Sequence, residues 1–216
     1  MNLASESLLR QGLSDLGMAV DEIDIQKLIQ FSELLLKWNR VYNLTAITEP
    51  HEVVTKHLLD SATFASYLIK EIPTEFDQVL DVGCGGGLPG IPSAILCPTK
   101  NFTLIDSVGK KIAFVNRAKV LLNLNNLTAI NERVEKNVFS QSFDLISSRA
   151  FSSLELFTSL TQDLIKENGY WLAMKAKISK EELSALPENV RIEGIIPLKV
   201  PFLNEERNLV IMQKRN

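Results

Sequence analysis

The run LDVGCGGGLPGIP at residues 80–92 restricts the fold of this chain more than any other stretch. It follows an apolar segment, places glycines at alternating positions, and then passes into apolar residues interrupted by two prolines. This order predicts a strand, a tight turn and a helix. Glycine lets the backbone turn sharply there, and it lets a ligand approach the main chain closely.

An acid, Asp81, stands just before the glycines and bears on which ligand the turn binds. Helix N-termini favour anions, so a loop that binds phosphate gains little from a neighbouring carboxylate. A cofactor with a cationic, amino-acid-like end suits the acid better. The order Asp-x-Gly-x-Gly-x-Gly is typical of loops that bind S-adenosylmethionine, and the run therefore favours that cofactor.

A dinucleotide is the alternative ligand, because residues 85–90 also satisfy the pattern G-x-G-x-x-G. A second acid, Asp106, ends the next apolar run, 25 residues after Asp81. It can hold the two ribose hydroxyls of either cofactor. A glycine turn without a ligand is the third interpretation, and two acids at successive strand ends argue against it.

The pattern of apolar residues divides the chain into two regions. Residues 1–75 have helical periodicity, with one helix ending near Gly17 and a second over about 25–38 that Asp21 or Asp24 caps. Two more helical stretches are expected, from about residue 48 to 59 and over 61–70. Residues 76–216 alternate instead, with predicted strands near 78–82, 102–106, 127–131, 143–147, 169–174, 191–198 and 207–214, and helices at 90–96, 109–123, 153–165 and 179–185.

This alternation predicts an α/β fold with a doubly wound, mostly parallel sheet covered on both faces. The expected type is the Rossmann-like fold of S-adenosylmethionine-dependent methyltransferases, in a domain at 76–216 with a helical N-terminal region at 1–75. The last two strands are joined without an obvious helix, so we expect an antiparallel hairpin.

Composition limits the partners and the compartment. The net charge of −3 does not indicate general nucleic-acid binding, although residues 76–216 carry +2 against −5 in residues 1–75, which leaves room for a local basic surface. No stretch of 18 apolar residues and no signal peptide is visible, so we expect no membrane partner. Cys84 and Cys97 lack histidines at metal-binding spacing, so we expect no metal site and a reduced, cytoplasmic setting.

Ligands of open α/β sheets bind outside the carboxyl ends of the strands, so the polar residues at those ends belong together. The first two strands supply Asp81, Gly83 and Asp106. The third leads to residues 131–135, the fourth to residues 147–151, and the fifth to residues 174–177.

These residues, together with the N-terminal region, resemble one family, the bacterial small-subunit ribosomal RNA guanine-N7 methyltransferases, also called glucose-inhibited division proteins B. The resemblance spans nearly the whole chain. The matching residues are Lys37-Trp38-Asn39-Arg40, Asn43-Leu44-Thr45-Ala46-Ile47, His57 with Asp60-Ser61, the glycine run, Leu104-Ile105-Asp106-Ser107 with Lys110-Lys111, Arg133-Val134-Glu135, Ser148-Arg149-Ala150-Phe151 and Glu206-Arg207.

The resemblance implies S-adenosylmethionine as cofactor, with contacts at Gly83, Leu88, Val134, Glu135 and Arg149; Arg149 is also a candidate for positioning the substrate. Asp106 fits the ribose on general grounds. Two departures are visible. Cys84 stands where the family often has Ser or Thr, and Ala176 follows Lys175 where the family often has glycine.

The partner implied by the resemblance is 16S ribosomal RNA in the small subunit, with neither DNA nor a membrane as partner, and we expect a monomer. The basic residues expected to contact RNA are Lys110, Lys111, Arg133 and Arg207.

The chemistry of guanine N7 fits the absence of an obvious catalytic base. N7 carries an in-plane lone pair and no proton, so methyl transfer requires alignment rather than proton removal, and we predict no catalytic side chain. The Asn/Asp-Pro-Pro-Tyr/Phe pattern typical of amino-group methylation is absent after the fourth strand. No cysteine follows the fourth or the fifth strand, which argues against covalent catalysis. Two alternatives stay open: a methyltransferase with another substrate, and a non-catalytic nucleotide- or RNA-binding module.

Overall fold

The computed structural model describes residues 3–72, 74–136, 139–149 and 151–215, and it has the predicted α/β architecture. The helical elements are α1 (Leu3–Asp15), α2 (Glu22–Tyr42), α3 (Pro50–Val53), a π-helical turn (Val54–Leu59), α4 (Asp60–Lys70), α5 (Gly90–Leu96), α6 (Gly109–Leu121), a 3-10 turn (Val134–Lys136), α7 (Leu154–Thr161) and α8 (Lys180–Ser184). The strands are β1 (Gln78–Val82), β2 (Asn101–Ile105), β3 (Leu127–Ile130), β4 (Phe143–Ser148), β5 (Ile165–Lys175), β6 (Val190–Pro197) and β7 (Asn208–Lys214). Ala150, part of one matched motif, lies outside the described residues.

The strands form one sheet in the order β3-β2-β1-β4-β5-β7-β6. β1 to β5 pair in parallel, and β7 pairs antiparallel with both β5 and β6, which confirms the mostly parallel sheet and the closing hairpin. The chain leaves β1 towards β2 and β3 and returns on the other side as β4. The order of the strands therefore reverses between β1 and β4, and such a switch point opens a crevice at their carboxyl ends.

The first long helix shows how local sequence sets the boundaries. The side chain of Asp21 accepts a hydrogen bond of 2.8 Å from the amide of Asp24, which caps the N-terminus of α2. Asn43 ends the helix in the left-handed conformation, with φ of 51°. The helix is longer at both ends than the predicted 25–38, because these two caps lie outside the apolar stripe.

Residues 50–70 form one continuous helical segment rather than two separate helices. Its middle is a π-helical turn, Val54–Leu59, between α3 and α4. π-Helical turns inside helices are rare, and they occur frequently at functional sites. This turn carries Lys56 and His57, and Asp60 follows it directly.

The predicted helix at 153–165 is too long, and the predicted strand at 169–174 is too short. α7 ends at Thr161, where Trp171 donates a 2.8 Å hydrogen bond from Nε1 to the threonine hydroxyl. β5 already begins at Ile165, which pairs with Phe143 at the start of β4. A short apolar run fits a helix and a strand equally well, and here the pairing with β4 decides in favour of the strand.

Two buried clusters lie on the two faces of the sheet. One joins the N-terminal helices to α5 and α6, with Leu35, Leu58, Ile91 and Phe114 all buried in it. The other packs α7 against the opposite face. Because side chains from both sides of residue 75 share the first cluster, the N-terminal helices are fixed to the sheet domain; the division into two regions stays a prediction.

Within the described residues, no helix has the length and apolar character needed to cross a bilayer.

Candidate functional site

The glycine loop between β1 and α5 has the predicted backbone. Gly83, Gly85 and Gly87 have φ of 68°, 56° and 77°, a region that L-residues enter only with strain. A Cβ on Gly87 would lie 2.4 Å from Ile91, so this glycine lets the loop pack onto the helix. A Cβ on Gly83 would meet no atom within 4 Å, which leaves an open space beside the main chain there.

Asp81 has a different role from the one the sequence suggests. It is fully buried, and its Oδ2 accepts a 3.1 Å hydrogen bond from the amide of Gly90, the first residue of α5. Burial raises the pKa of the Asp81 carboxyl to about 7. The interpretation that Asp81 faces a cationic cofactor directly is therefore not supported, since the carboxylate instead occupies the helix N-terminus. A dinucleotide would place its pyrophosphate at that N-terminus, so the structure disfavours it.

Asp106 stands at the end of β2, as expected, and holds the loops around it. Its Oδ2 accepts a 3.0 Å hydrogen bond from the amide of Gly85, and its Oδ1 accepts one of 2.9 Å from Val108. Lys111 Nζ lies 3.5 Å from Oδ2. An ionised carboxylate has about four acceptor sites, so Asp106 keeps capacity for a hydroxyl pair.

A cavity of about 500 Å³ opens at the carboxyl ends of β1, β2 and β3. We call it the β1–β3 cavity. It is lined by Val82, Gly83, Ile105, Asp106, Ser107, Val108, Lys111, Glu132, Arg133, Val134, Glu135, Phe151, Ser152, Leu156 and Leu160. Its size is within the range of small-molecule sites. Acidic side chains outnumber basic ones by three to two in this lining, which suits a ligand of net positive charge.

Six of the site residues predicted from the sequence line the β1–β3 cavity. Gly83, Asp106, Val134 and Glu135 line the β1–β3 cavity together, as a shared cofactor site requires. Lys111 and Arg133, predicted to contact RNA, line the same cavity rather than a separate surface. The walls formed by Leu156 and Leu160 were missed, because α7 comes from a distant part of the chain and shows only the apolar periodicity of a core helix.

Two other candidates, Leu88 and Lys110, do not line the β1–β3 cavity. Leu88 is buried in the core, and its amide donates a 3.1 Å hydrogen bond to the carbonyl of Cys84 within the glycine loop. Its implied contact with the cofactor therefore stays a prediction. Lys110 is exposed in the first turn of α6.

A second cavity, of about 460 Å³, lies beyond β4 and is closed by the π-helical turn and the β6–β7 connection. We call it the β4–β5 cavity. It is lined by Ile47, Lys56, His57, Asp60, Arg149, Met174, Lys175, Ala176, Glu205 and Arg207. Four of these side chains are basic and two are acidic. Each basic side chain is ion-paired: Lys56 with Glu52 and Glu205, Lys175 with Glu182, and the two arginines with Asp60.

Arg149 lines the β4–β5 cavity, not the β1–β3 cavity in which its implied cofactor contact would place it. It directly follows β4, which pairs with β1 on one side and with β5 on the other. Because Arg149 lines only the β4–β5 cavity, its implied contact with the cofactor stays a prediction. Arg207, predicted as an RNA contact on the surface, also lines this cavity.

A buried carboxylate joins these two arginines. Arg149 Nη1 donates a 3.3 Å hydrogen bond to Asp60 Oδ2, and Arg207 Nε lies 3.3 Å from Oδ1. Burial raises the pKa of the Asp60 carboxyl, although both arginines act to lower it. Asp60 appears in the sequence only as part of a matched motif, and no spacing rule could have placed it beside residues 89 and 147 positions away.

His57 lines the β4–β5 cavity, and both of its ring nitrogens contact other groups of the protein. Its Nδ1 lies 2.9 Å from the carbonyl oxygen of Lys56, and its Nε2 lies 2.7 Å from the hydroxyl of Thr45. A carbonyl can only accept, so Nδ1 carries the proton and Nε2 accepts from the threonine. Burial, assisted by the charge of Arg149, lowers the pKa of His57 to about 4, so the ring is neutral at physiological pH.

The described residues contain no cluster of three or more metal-ligating side chains. Burial raises the pKa of both Cys84 and Cys97, so neither thiol is poised to act as a nucleophile.

Comparison with known proteins identifies close relatives over nearly the whole chain. The family model described as rRNA small subunit methyltransferase G matches residues 24–210. Ribosomal RNA small subunit methyltransferase G of Francisella tularensis subsp. novicida is 45% identical over 208 residues, which is 96% of either chain. The protein of the same name from Pseudomonas aeruginosa strain LESB58 is 45% identical over 95% of this chain and 94% of its own.

Solved structures share the fold at low sequence identity. TrmN from Thermus thermophilus matches 75% of this chain and 53% of its own length, with a TM-score of 0.58 and 14% identity. A ribosomal protein L11 methylase from Lactobacillus delbrueckii subsp. bulgaricus matches 73% of this chain and 79% of its own, with a TM-score of 0.54 and 18% identity. These likenesses confirm the predicted Rossmann-like class of fold.

Proposed function

Because the chain belongs to the rRNA small subunit methyltransferase G family, we propose that it methylates N7 of a guanine in 16S ribosomal RNA, with S-adenosylmethionine as methyl donor. The observation that carries the proposal is the pair of cavities at the switch point. The β1–β3 cavity, with Gly83 and Asp106 in its lining, fits the donor, and the β4–β5 cavity, with Arg149 and Arg207 in its lining, fits the target.

Three features of the β1–β3 cavity support S-adenosylmethionine over a dinucleotide. The acidic lining suits a molecule with a sulfonium and an ammonium against a single carboxylate. Asp106 retains acceptor sites for the ribose hydroxyls, and Val134, Leu156 and Leu160 offer an apolar surface for the adenine. The open space beside Gly83 lets a ligand lie directly against the main chain.

The basic side chains of the β4–β5 cavity support a nucleic-acid target. Lys56, Lys175, Arg149 and Arg207 line it together and offer contacts for the phosphates of a nucleotide, although each is ion-paired with a carboxylate in this structure. Lys110, exposed in the first turn of α6, stays a predicted contact for RNA, as do Lys111 and Arg133 at the β1–β3 cavity. The monomeric state, the cytoplasmic location, and the absence of DNA or membrane partners stay predictions.

Catalysis then rests on orientation. When bound, S-adenosylmethionine supplies an electrophilic methyl group on sulfur. The protein holds the guanine so that the N7 lone pair lies in line with the bond to be broken, and it excludes water from the junction. No residue has to remove a proton, since N7 has none. The neutral His57, hydrogen-bonded to Thr45 and to the main chain, agrees with this mechanism.

The experiment is methylation of purified small ribosomal subunits, and of free 16S RNA in parallel, with labelled S-adenosylmethionine. The RNA is digested to nucleosides, which are separated and identified by mass spectrometry. We expect the label in 7-methylguanosine. Label in any other nucleoside, or in protein, would refute the proposed target. Calorimetry with NAD in place of S-adenosylmethionine excludes the dinucleotide alternative if no heat of binding is observed.

A further inference from the structure

Asp60 has an unusual environment in the β4–β5 cavity. The residue is 2% exposed, and its Oδ1 accepts no hydrogen bond of good geometry among the described residues, although Arg207 Nε lies 3.3 Å from it. The contacts with Arg149 and Arg207 are both 3.3 Å, longer than the 2.7–2.9 Å of a strong charge-assisted hydrogen bond. The carboxylate therefore has charge partners, but its capacity to accept hydrogen bonds is largely unused.

A buried acceptor whose hydrogen bonds are long or poorly aligned costs stability, and native proteins leave few of them. Here the acceptor lies in the lining of a cavity between the ends of two strands. The π-helical turn Val54–Leu59 fixes the position of the carboxylate from one side, and β4 with the β6–β7 connection brings the arginines from the other. This arrangement is that of a site completed by donors from a ligand.

We propose that Asp60 recognises the target guanine by accepting hydrogen bonds from its N1–H group and its exocyclic N2 amino group. The inference rests on the proposed function and adds the residue that selects the base. A carboxylate presents two oxygens side by side, and this guanine edge presents two donors side by side. The opposite side of the purine, with N7, then stays free for the methyl group.

The other bases cannot satisfy the same carboxylate. Adenine and cytosine each present a ring-nitrogen acceptor on that edge, which the negative oxygens repel. Uracil presents a single N–H group between two carbonyls. A buried site that hydrogen-bonds its substrate rejects analogues that leave its polar groups unpaired. Burial raises the pKa of Asp60, while the charges of Arg149 and Arg207 act to lower it and so favour the ionised form. The base would have to displace the 3.3 Å contacts with these arginines.

Inosine tests the inference without any change to the protein, because it differs from guanosine only by the missing N2 amino group. Small subunits are reconstituted with 16S RNA that carries a single inosine at the mapped target position, prepared by ligation of a synthetic segment. Single-turnover methylation is then measured at saturating S-adenosylmethionine. Loss of one hydrogen bond to a charged acceptor lowers the rate about ten- to a hundredfold.

Two matched variants locate the effect at Asp60. Asp60→Asn keeps the shape but turns one acceptor into a donor, so the rate ratio of guanosine to inosine should fall to about one. Glu205→Gln removes a negative charge from the same cavity, at a side chain paired with Lys56 and Arg207, and should leave that ratio as in the wild type. Circular dichroism checks that both variants fold.

The outcomes separate the two proposals. If wild-type protein methylates guanosine and inosine at equal rates, and the product is the 7-methylated nucleoside, the role of Asp60 is refuted while the proposed function stands. An unchanged ratio in folded Asp60→Asn also refutes that role. If the product is not methylated at N7, the proposed function itself fails. Should Asp60→Asn not fold, Asp60→Glu, which keeps the charge but displaces the two oxygens, takes its place, and a ratio unchanged from the wild type then refutes the role of Asp60.

Discussion

Replacing Gly83 by valine should weaken cofactor binding about five- to 150-fold without unfolding the protein. Gly83 has φ of 68°, where an L-residue costs about 1–2 kcal/mol. In a chain of this size, that corresponds to a decrease in Tm of about 2–8 °C. The added side chain enters the β1–β3 cavity, since no atom lies within 4 Å of its Cβ. Forcing extra carbons into a filled site costs about 1–3 kcal/mol, or about five- to 150-fold in Kd.

Gly85→Val is the matched control. Gly85 has a similar φ of 56°, and the nearest atom to its Cβ is 4.0 Å away, but it does not line the cavity. Both variants should therefore lose similar stability by thermal melting, while only Gly83→Val loses affinity for S-adenosylmethionine by calorimetry. Unchanged affinity in folded Gly83→Val, or equal losses in both variants, would refute the position assigned to the cofactor.

Three further results are expected. Asp106→Ala should weaken cofactor binding about tenfold or more in calorimetry, because a charged acceptor is typically worth about 1.5–3 kcal/mol; a change below about twofold would show that the carboxylate serves only the loops. Arg207→Ala should weaken RNA binding and flatten its salt dependence by about one phosphate contact, while leaving cofactor affinity unchanged; indifference to salt would contradict the assigned cavity. The pKa of His57 is lowered from 6.5 to about 4 in the folded protein. As the pH falls, the histidine of the unfolded chain is therefore protonated before that of the folded chain. The contribution of His57 to the free energy of unfolding is complete above about pH 6.5 and decreases towards pH 4. His57→Gln should remove that part of the pH dependence in denaturant titrations, and the methyl-transfer rate should show no histidine titration between about pH 6 and 9; a limb of the profile lost with His57 would overturn the mechanism.

The sheet and the glycine turn could be predicted because their signals are local. The apolar segments spaced along residues 76–216 predict the strands. Glycine at positions 83, 85 and 87 permits the left-handed backbone because it has no Cβ. Asp81 shows the limit of such reasoning. Its presence before the glycines correctly argued against a phosphate, but the reason is the hydrogen bond to Gly90, which only the folded chain reveals.

The β4–β5 cavity could not be predicted from spacing. Its lining joins the π-helical turn, the end of β4 and the β6–β7 connection, three parts of the chain that meet only through the topology of the sheet. The basic residues illustrate the same point. Lys111 and Arg207 look like free surface cations in the sequence, yet each lies beside a buried carboxylate in a cavity. The sequence shows how many basic residues a region contains, but only the folded structure shows which groups those residues contact.

The most direct test of N7 as the acceptor is a substrate in which the target guanine is replaced by 7-deazaguanine. This base keeps the N1–H and N2 amino groups but carries a C–H group in place of N7. Small subunits with this single replacement should bind the protein as the unmodified subunits do, and methylation at that position should be lost. Methyl transfer to the modified base at an undiminished rate would show that another atom accepts the methyl group.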